Sequence, residues 1–142
     1  MAVERTELQR RLESGGQIVI AEVAPPLGGD PAPVGQAAAS YAGKIHALGV
    51  SDNRDRVAMS ALAAASLIQA AGVEPILHMV TRDRNRIALV SDYLGARALE
   101  IGNVLATSGT HQTLGRPRAA KNVFDLVSIQ LITTFATLAE GA

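Results

Sequence analysis

Glu22 sits in an otherwise apolar stretch, Ile18-Val19-Ile20-Ala21-Glu22-Val23, where a charged carboxylate is costly unless it is paired or opens onto a cleft. Two readings stand side by side: a carboxylate at a strand end facing water or an arginine between Arg82 and Arg86, or an acid placed for chemistry. His78, between Leu77 and Met79, is an imidazole that could hydrogen-bond a bound ring; taken alone, the better reading is a satisfied core histidine. Ser51, Asp52 and Asn53 are residue types that cap helices, and they could also line a pocket. The run Arg82-Asp83-Arg84-Asn85-Arg86 opens a helix, where cations oppose the positive end of the helix dipole. A phosphate or carboxylate partner would explain them; a solvated face with Asp83 as the cap explains them more simply. In Ser108-Gly109-Thr110-His111 the glycine would let backbone N–H groups approach a flat or anionic ligand, although an ordinary turn needs the same residues.

Several chemistries are excluded. The chain has no Gly-x-Gly-x-x-Gly after its first strand, no Gly-x-x-x-x-Gly-Lys-Ser/Thr, no His-Glu-x-x-His and no Gly-x-Ser-x-Gly, which removes the usual dinucleotide, nucleoside-triphosphate, zinc-protease and serine-hydrolase signatures. Cysteine is absent, so disulfides, thiolate metal sites and cysteine nucleophiles go together, and the cytoplasm is the expected compartment. No metal site is expected. Thirteen basic and 13 acidic residues cancel, leaving no global field toward nucleic acid or an anionic membrane. The longest apolar stretch, Val57 to Val73, is broken by Ser60, Ser66 and Gln69 and suits a buried helix better than a bilayer. Neither nucleic acid nor membrane is an expected partner.

The elements that must position these residues follow from periodicity. With 142 residues, 48% hydrophobic and 18% charged, the chain suits one domain with a real core. Short β-branched runs alternate with longer alanine-rich runs, the pattern of strand-helix units around a parallel sheet. Met1 to Ser14 reads as a short amphipathic helix, within an N-terminal segment of residues 1–15; residues 16–142 carry the repeats. The strands are expected at Gln17 to Val23, Lys44 to Val50, Glu74 to Val80 and Gly102 to Ala106. The helices are expected from Asp30 as cap to about Ala42, from Arg54 to Ala71, from Asp83 as cap to about Leu99, and from Leu126 to Leu138. That last helix buries Ile129, Ile132 and Leu138 or hides them in an interface. Between them, Thr107 to Asn122 is too polar and too long for a routine connection and reads as a functional or mobile loop. Four strands are about half of an eight-stranded TIM barrel, which typically takes about 250 residues. The expected fold is therefore α/β, parallel strand-helix units like the first half of such a barrel and incomplete as a single chain. An open flavodoxin-like sheet is the other architecture of this size, but Pro25-Pro26 after the first strand offers no amides to cradle phosphate.

Together, these segments resemble the N-terminal half of the methylenetetrahydrofolate reductase family. The resemblance is carried by Glu22-Val23-Ala24-Pro25-Pro26, Val50-Ser51-Asp52-Asn53, Val73-Glu74-Pro75-Ile76-Leu77-His78, Thr81-Arg82-Asp83-Arg84-Asn85-Arg86, Leu94-Gly95-Ala96, Asn103-Val104-Leu105-Ala106 and Ala120-Lys121-Asn122-Val123-Phe124-Asp125. It implies a flavoprotein oxidoreductase of one-carbon metabolism in which reduced FAD (or FMN) gives hydride to a methylenetetrahydrofolate substrate. By the same resemblance Glu22 is the general acid that opens the substrate ring, a role that suits a carboxyl group in an apolar strand. Ser51, His78, Ser108, Gly109 and Phe124 match flavin-contacting positions. Thr110 stands where the family usually has a substrate-contacting aspartate, and it cannot carry that charge. The family's second half supplies most contacts to the flavin phosphates, so a homo-oligomer or a complementary chain is the expected partner. The alternative is a truncated, non-catalytic binding or regulatory module that associates with a reductase or a complementary half-barrel.

Overall fold

The computed structural model describes residues 5–116 and 118–141. The first residues of the expected N-terminal helix, 1–4, lie outside them, as do positions 117 and 142. Five helices and four strands follow in the order α1 (Glu7–Ser14), β1 (Ile20–Val23), α2 (Ala32–Tyr41), β2 (Ala47–Val50), α3 (Ala61–Ala70), β3 (Pro75–Val80), α4 (Arg86–Ala98), β4 (Asn103–Thr107) and α5 (Ser128–Ala139), with a 3₁₀ turn at Gln112–Leu114. The strands form one sheet in sequence order, β1-β2-β3-β4, and every pairing is parallel. The α/β architecture of parallel strand-helix units is therefore present, and it is open rather than closed into a barrel.

Register separates the two faces. Ala21, Val23, Leu48, Val50, Leu77, Met79, Val104 and Ala106 share one face, and all of them belong to or pack against a single apolar core. The helices supply the other half of that core through Val34 and Ala38, Ala64 and Ile68, Leu89 and Tyr93, and Leu131 and Phe135. Alanine-rich α3 lets its backbone approach the sheet closely, and each fully buried leucine such as Leu48 or Leu77 contributes about 1.5–3 kcal/mol. Tyr93 and Phe135 stack with centroids 4.2 Å apart, fastening α4 to α5. The opposite face carries Ile20, Glu22, Gly49, Ile76, His78 and Leu105, none of them in the main apolar cluster, and only Ala47 and Val80 of this face are buried hydrophobics. Ile20 is 50% and Leu105 45% exposed.

The element boundaries show where local chemistry overrode periodicity. β1 starts later than expected because His46 Nδ1 accepts the Val19 N–H at 2.9 Å, in place of a ladder carbonyl. α3 starts at Ala61 rather than Arg54: Asn53 adopts a left-handed φ of 45°, its Oδ1 accepts the Ala58 N–H, and Met59 N–H donates to the Pro26 carbonyl. Residues 51–60 are thus a tied loop. Asp30 does engage the start of α2, accepting the Ala32 N–H at 3.0 Å. At α4 the cap is Asn85, whose side chain accepts the Ala88 N–H, because Asp83 is occupied by Arg82. α5 buries Leu131 and Phe135, whereas Ile129 and Ile132 are 74% and 56% exposed. At the other end of the sheet, Glu74 accepts the N–H groups of Glu7 and Leu8 and the Asn103 amide, which plants the N-terminus of α1 against β3 and β4.

Candidate functional site

Parallel strands deliver their C-terminal ends, and the loops that follow, to one edge of the sheet, where ligands of α/β folds bind. Glu22, Ser51, His78, Ser108, Gly109 and Thr110 all lie in the last residues of a strand or just beyond it. Phe124 lies in the segment leading to α5. The spread is wide, since β1 and β4 are three strand spacings apart, roughly 14 Å.

Glu22 and His78 are brought to the same uncovered face. Glu22 pairs in register with Gly49, Gly49 with Ile76, and His78 is the next residue of β3 on that face. A Cβ at position 49 would lie 3.0 Å from His78 Nε2, so the imidazole reaches across the bare backbone of β2 toward β1. Glycine inside a strand marks such a close approach. Burial pushes the His78 pKa down, opposed by the negative charges of Glu22 and then Asp52. Glu22 itself faces water and an arginine, though Arg54 rather than one of Arg82 to Arg86: its side chain is 47% exposed, with the Arg54 guanidinium 3.7 Å away and itself 78% exposed. β1 is an edge strand and no layer covers its inner face, so an apolar sequence context does not produce an apolar environment. An ion pair this exposed contributes little.

Two of the hydroxyls are already engaged. Ser51 is buried and its Oγ donates to the Val23 carbonyl at 3.4 Å, while Ser108 Oγ accepts the Ser128 N–H at 3.3 Å. Gly109 has a φ of 81°, and a Cβ there would lie 2.4 Å from Val80 Cγ1, so glycine is required by the chain's own packing. Thr110 presents its carbonyl to Arg82 Nη1 at 2.7 Å. Phe124 is held at φ 42°, a conformation that bulky side chains avoid. Its neighbours enforce it: Val123 N–H donates to the Arg82 carbonyl, and Asp125 accepts both the backbone N–H and the guanidinium of Arg86. Backbone strain over-determined in this way clusters at functional sites.

The arginine run turns out to be the frame of this edge. Arg82, only 6% exposed, donates to the Asp83 carboxylate and to the carbonyls of Asn53 and Thr110. It thereby ties the loops after β2, β3 and β4 into one unit. Arg84 bridges Asp52 and Asp92, and Asp52 also accepts the Val80 N–H at 2.9 Å. Desolvation raises the Asp52 pKa, partly offset by Arg84. The sequence pattern left open a carboxylate partner for these arginines. Asp52, which read as a cap or pocket residue, is that partner. Asp125 and Gly49 had not been singled out; an acidic residue just before a helix and a glycine inside a strand were the available signals.

A flat ring finds a partial fit. Ile76, Leu105 and His78 offer an apolar face with one imidazole, but the Ser51 hydroxyl would have to give up the Val23 carbonyl to donate to a ligand. Among the described residues no three His, Asp or Glu side chains converge as metal ligands. None of the described helices is long and apolar enough to cross a membrane. No protein-family model matches the chain, and no curated protein matches it.

Proposed function

We propose that this chain is a half-barrel of the methylenetetrahydrofolate reductase type, acting in the cytoplasm, in which Glu22 serves as proton donor to a folate substrate on the uncovered sheet face. The observation that carries the reading is the placement of Glu22 on β1 and His78 on β3 on one face, across Gly49 of the intervening β2, toward the C-terminal ends of their strands. Bound FAD or FMN would supply the hydride. The chain's own residues would orient and shield: Ile76 and Leu105 give an apolar bed, His78 offers a ring nitrogen, and Glu22 is open to substrate because its ion-pair partner among the described residues is the exposed Arg54. A second copy or a complementary chain would cover this face and exclude water from around Glu22. Incubation with FAD and FMN tests it: a retained flavin spectrum, with folate-dependent reoxidation lowered about 10²–10⁴-fold in Glu22→Gln, is the expected result for a general acid. A protein that takes up neither flavin defeats it.

The second reading is a non-catalytic binding module. The engaged Ser51 and Ser108 hydroxyls and the uncharged Thr110 favour it. Colourless protein that nevertheless binds a complementary half-barrel chain would decide for this reading.

A further inference from the structure

The charge balance of the whole chain is zero, yet one cavity at the C-terminal edge is strongly basic. It measures about 260 Å³ and is lined by Arg54 and Arg56 from the loop after β2 and by Arg116 and Lys121 from the loop after β4, with Arg82 and Asp83 beneath. Asp55 is the other acidic residue of its lining. Arg82 and Asp83 neutralise one another at 2.7 Å, so four cations face one carboxylate. Their pairings are loose: Arg54 lies 3.7 Å from Glu22 and Arg56 3.7 Å from Asp55. Among the described residues, Arg116 and Lys121 have no ion pair within 4.0 Å. Like charges this close repel, and ordinary surface loops relieve that by moving apart.

These loops are clasped together instead. Arg116 N–H donates to the Asp55 carbonyl at 2.6 Å, and a Cβ on the neighbouring Gly115 would lie 2.7 Å from that same oxygen. Only glycine lets the two backbones meet there. Arg82 locks the same loops from below through the Asn53 and Thr110 carbonyls. Gln112 lines the cavity with its side-chain oxygen buried and without a partner; exchanging the amide's oxygen and nitrogen would turn an N–H donor toward an anion.

We infer that this cavity binds a phosphate-bearing small molecule, clamped between the loops after β2 and β4. Guanidinium forks match phosphate oxygens two at a time, and the volume lies just below the range of pockets for drug-sized ligands, which suits a compact anion. The site adjoins the Glu22–His78 face through Arg54, whose guanidinium also lies 3.7 Å from Glu22, but its other cations come from elsewhere, and it does not depend on a flavin or a folate.

The probe is inorganic pyrophosphate, titrated calorimetrically into the full chain with no flavin or folate present. Saturable binding is expected. It should weaken as ionic strength rises from about 0.01 M to about 0.15 M, where the screening length falls from roughly 30 Å to roughly 8 Å. Arg54→Ala with Arg116→Ala should weaken it at least about tenfold while leaving the circular-dichroism melt unchanged, and Arg97→Ala, on α4 at the opposite end of the sheet, should bind as the parent does. Lys121→Ala gives a second, milder variant should the double one melt early. Absence of saturation at about 10 mM, equal binding by the double and Lys121 variants, or equally tight binding of succinate would overturn the assignment. None of these outcomes bears on the flavin reading.

Discussion

Asp52 and Arg84 show how a buried charge is held at the scale of single side chains. Asp52 is 4% exposed, and its carboxylate is met by the Val80 N–H and the Arg84 guanidinium. Removing one partner of such a pair leaves an uncompensated buried charge, which typically costs about 3–5 kcal/mol. Arg84→Ala is therefore expected to lower the stability measured by urea unfolding by that order, whereas Arg54→Ala, at an exposed pair, should change it by less than about 1 kcal/mol. His78 makes a prediction about pH. Its pKa is lowered in the folded chain, chiefly by burial, so folding favours the neutral ring. The corresponding stability is complete above the unfolded value of about 6.5 and is lost as pH falls through the lower folded value. Thermal melts at about pH 7 and about pH 5 should show a larger drop for the parent than for His78→Gln; an equal drop would mean that the imidazole is solvated.

Glu74 does at the level of elements what Arg82 does among loops. Its carboxylate receives two N–H groups from the first turn of α1 and the Asn103 amide, satisfying helix donors that otherwise lack partners. Glu74→Ala should free α1: hydrogen exchange of Leu8 to Leu12 should accelerate by about tenfold or more, matching a cap worth about 1–2 kcal/mol, while β2 and β3 keep their protection. The strand-helix alternation was legible because β-branched and alanine-rich runs have different periods. The start of α3 was not, since the Met59 N–H is held by the Pro26 carbonyl, a contact that is not local in sequence, while Asn53 turns the chain and holds Ala58. Glu22 was legible as an unusual residue, yet its exposure was not, because periodicity cannot say whether a second layer covers a strand. Asp83 reads from the sequence as the cap of α4, and only the reach of Arg82, which occupies its carboxylate, leaves that place to Asn85.

For the whole molecule, the uncovered face and the unpaired outer edges of β1 and β4 are the dominant feature, because such parallel edges seek partners. Concentration-dependent self-association is expected in sedimentation experiments, and Leu105→Lys, at a position 45% exposed, should suppress it while changing folding stability by no more than about 0.5 kcal/mol. A monomer at all concentrations would remove the second copy as the partner of this face. The strand order has a further consequence, for the timing of folding. Every strand pairs with its neighbour in sequence, so β1 meets β2 through residues 20–23 and 47–50, and no contact in the sheet waits for a distant segment. Each parallel pairing still has to wait for the helix between its strands, which makes it slower than a hairpin, but during synthesis at about 5–20 residues per second each completed unit can add to the growing edge of the last. A sheet assembled in that order grows at one edge only, from β2 to β4, while the outer edge of β1 stays open from the first pairing onward.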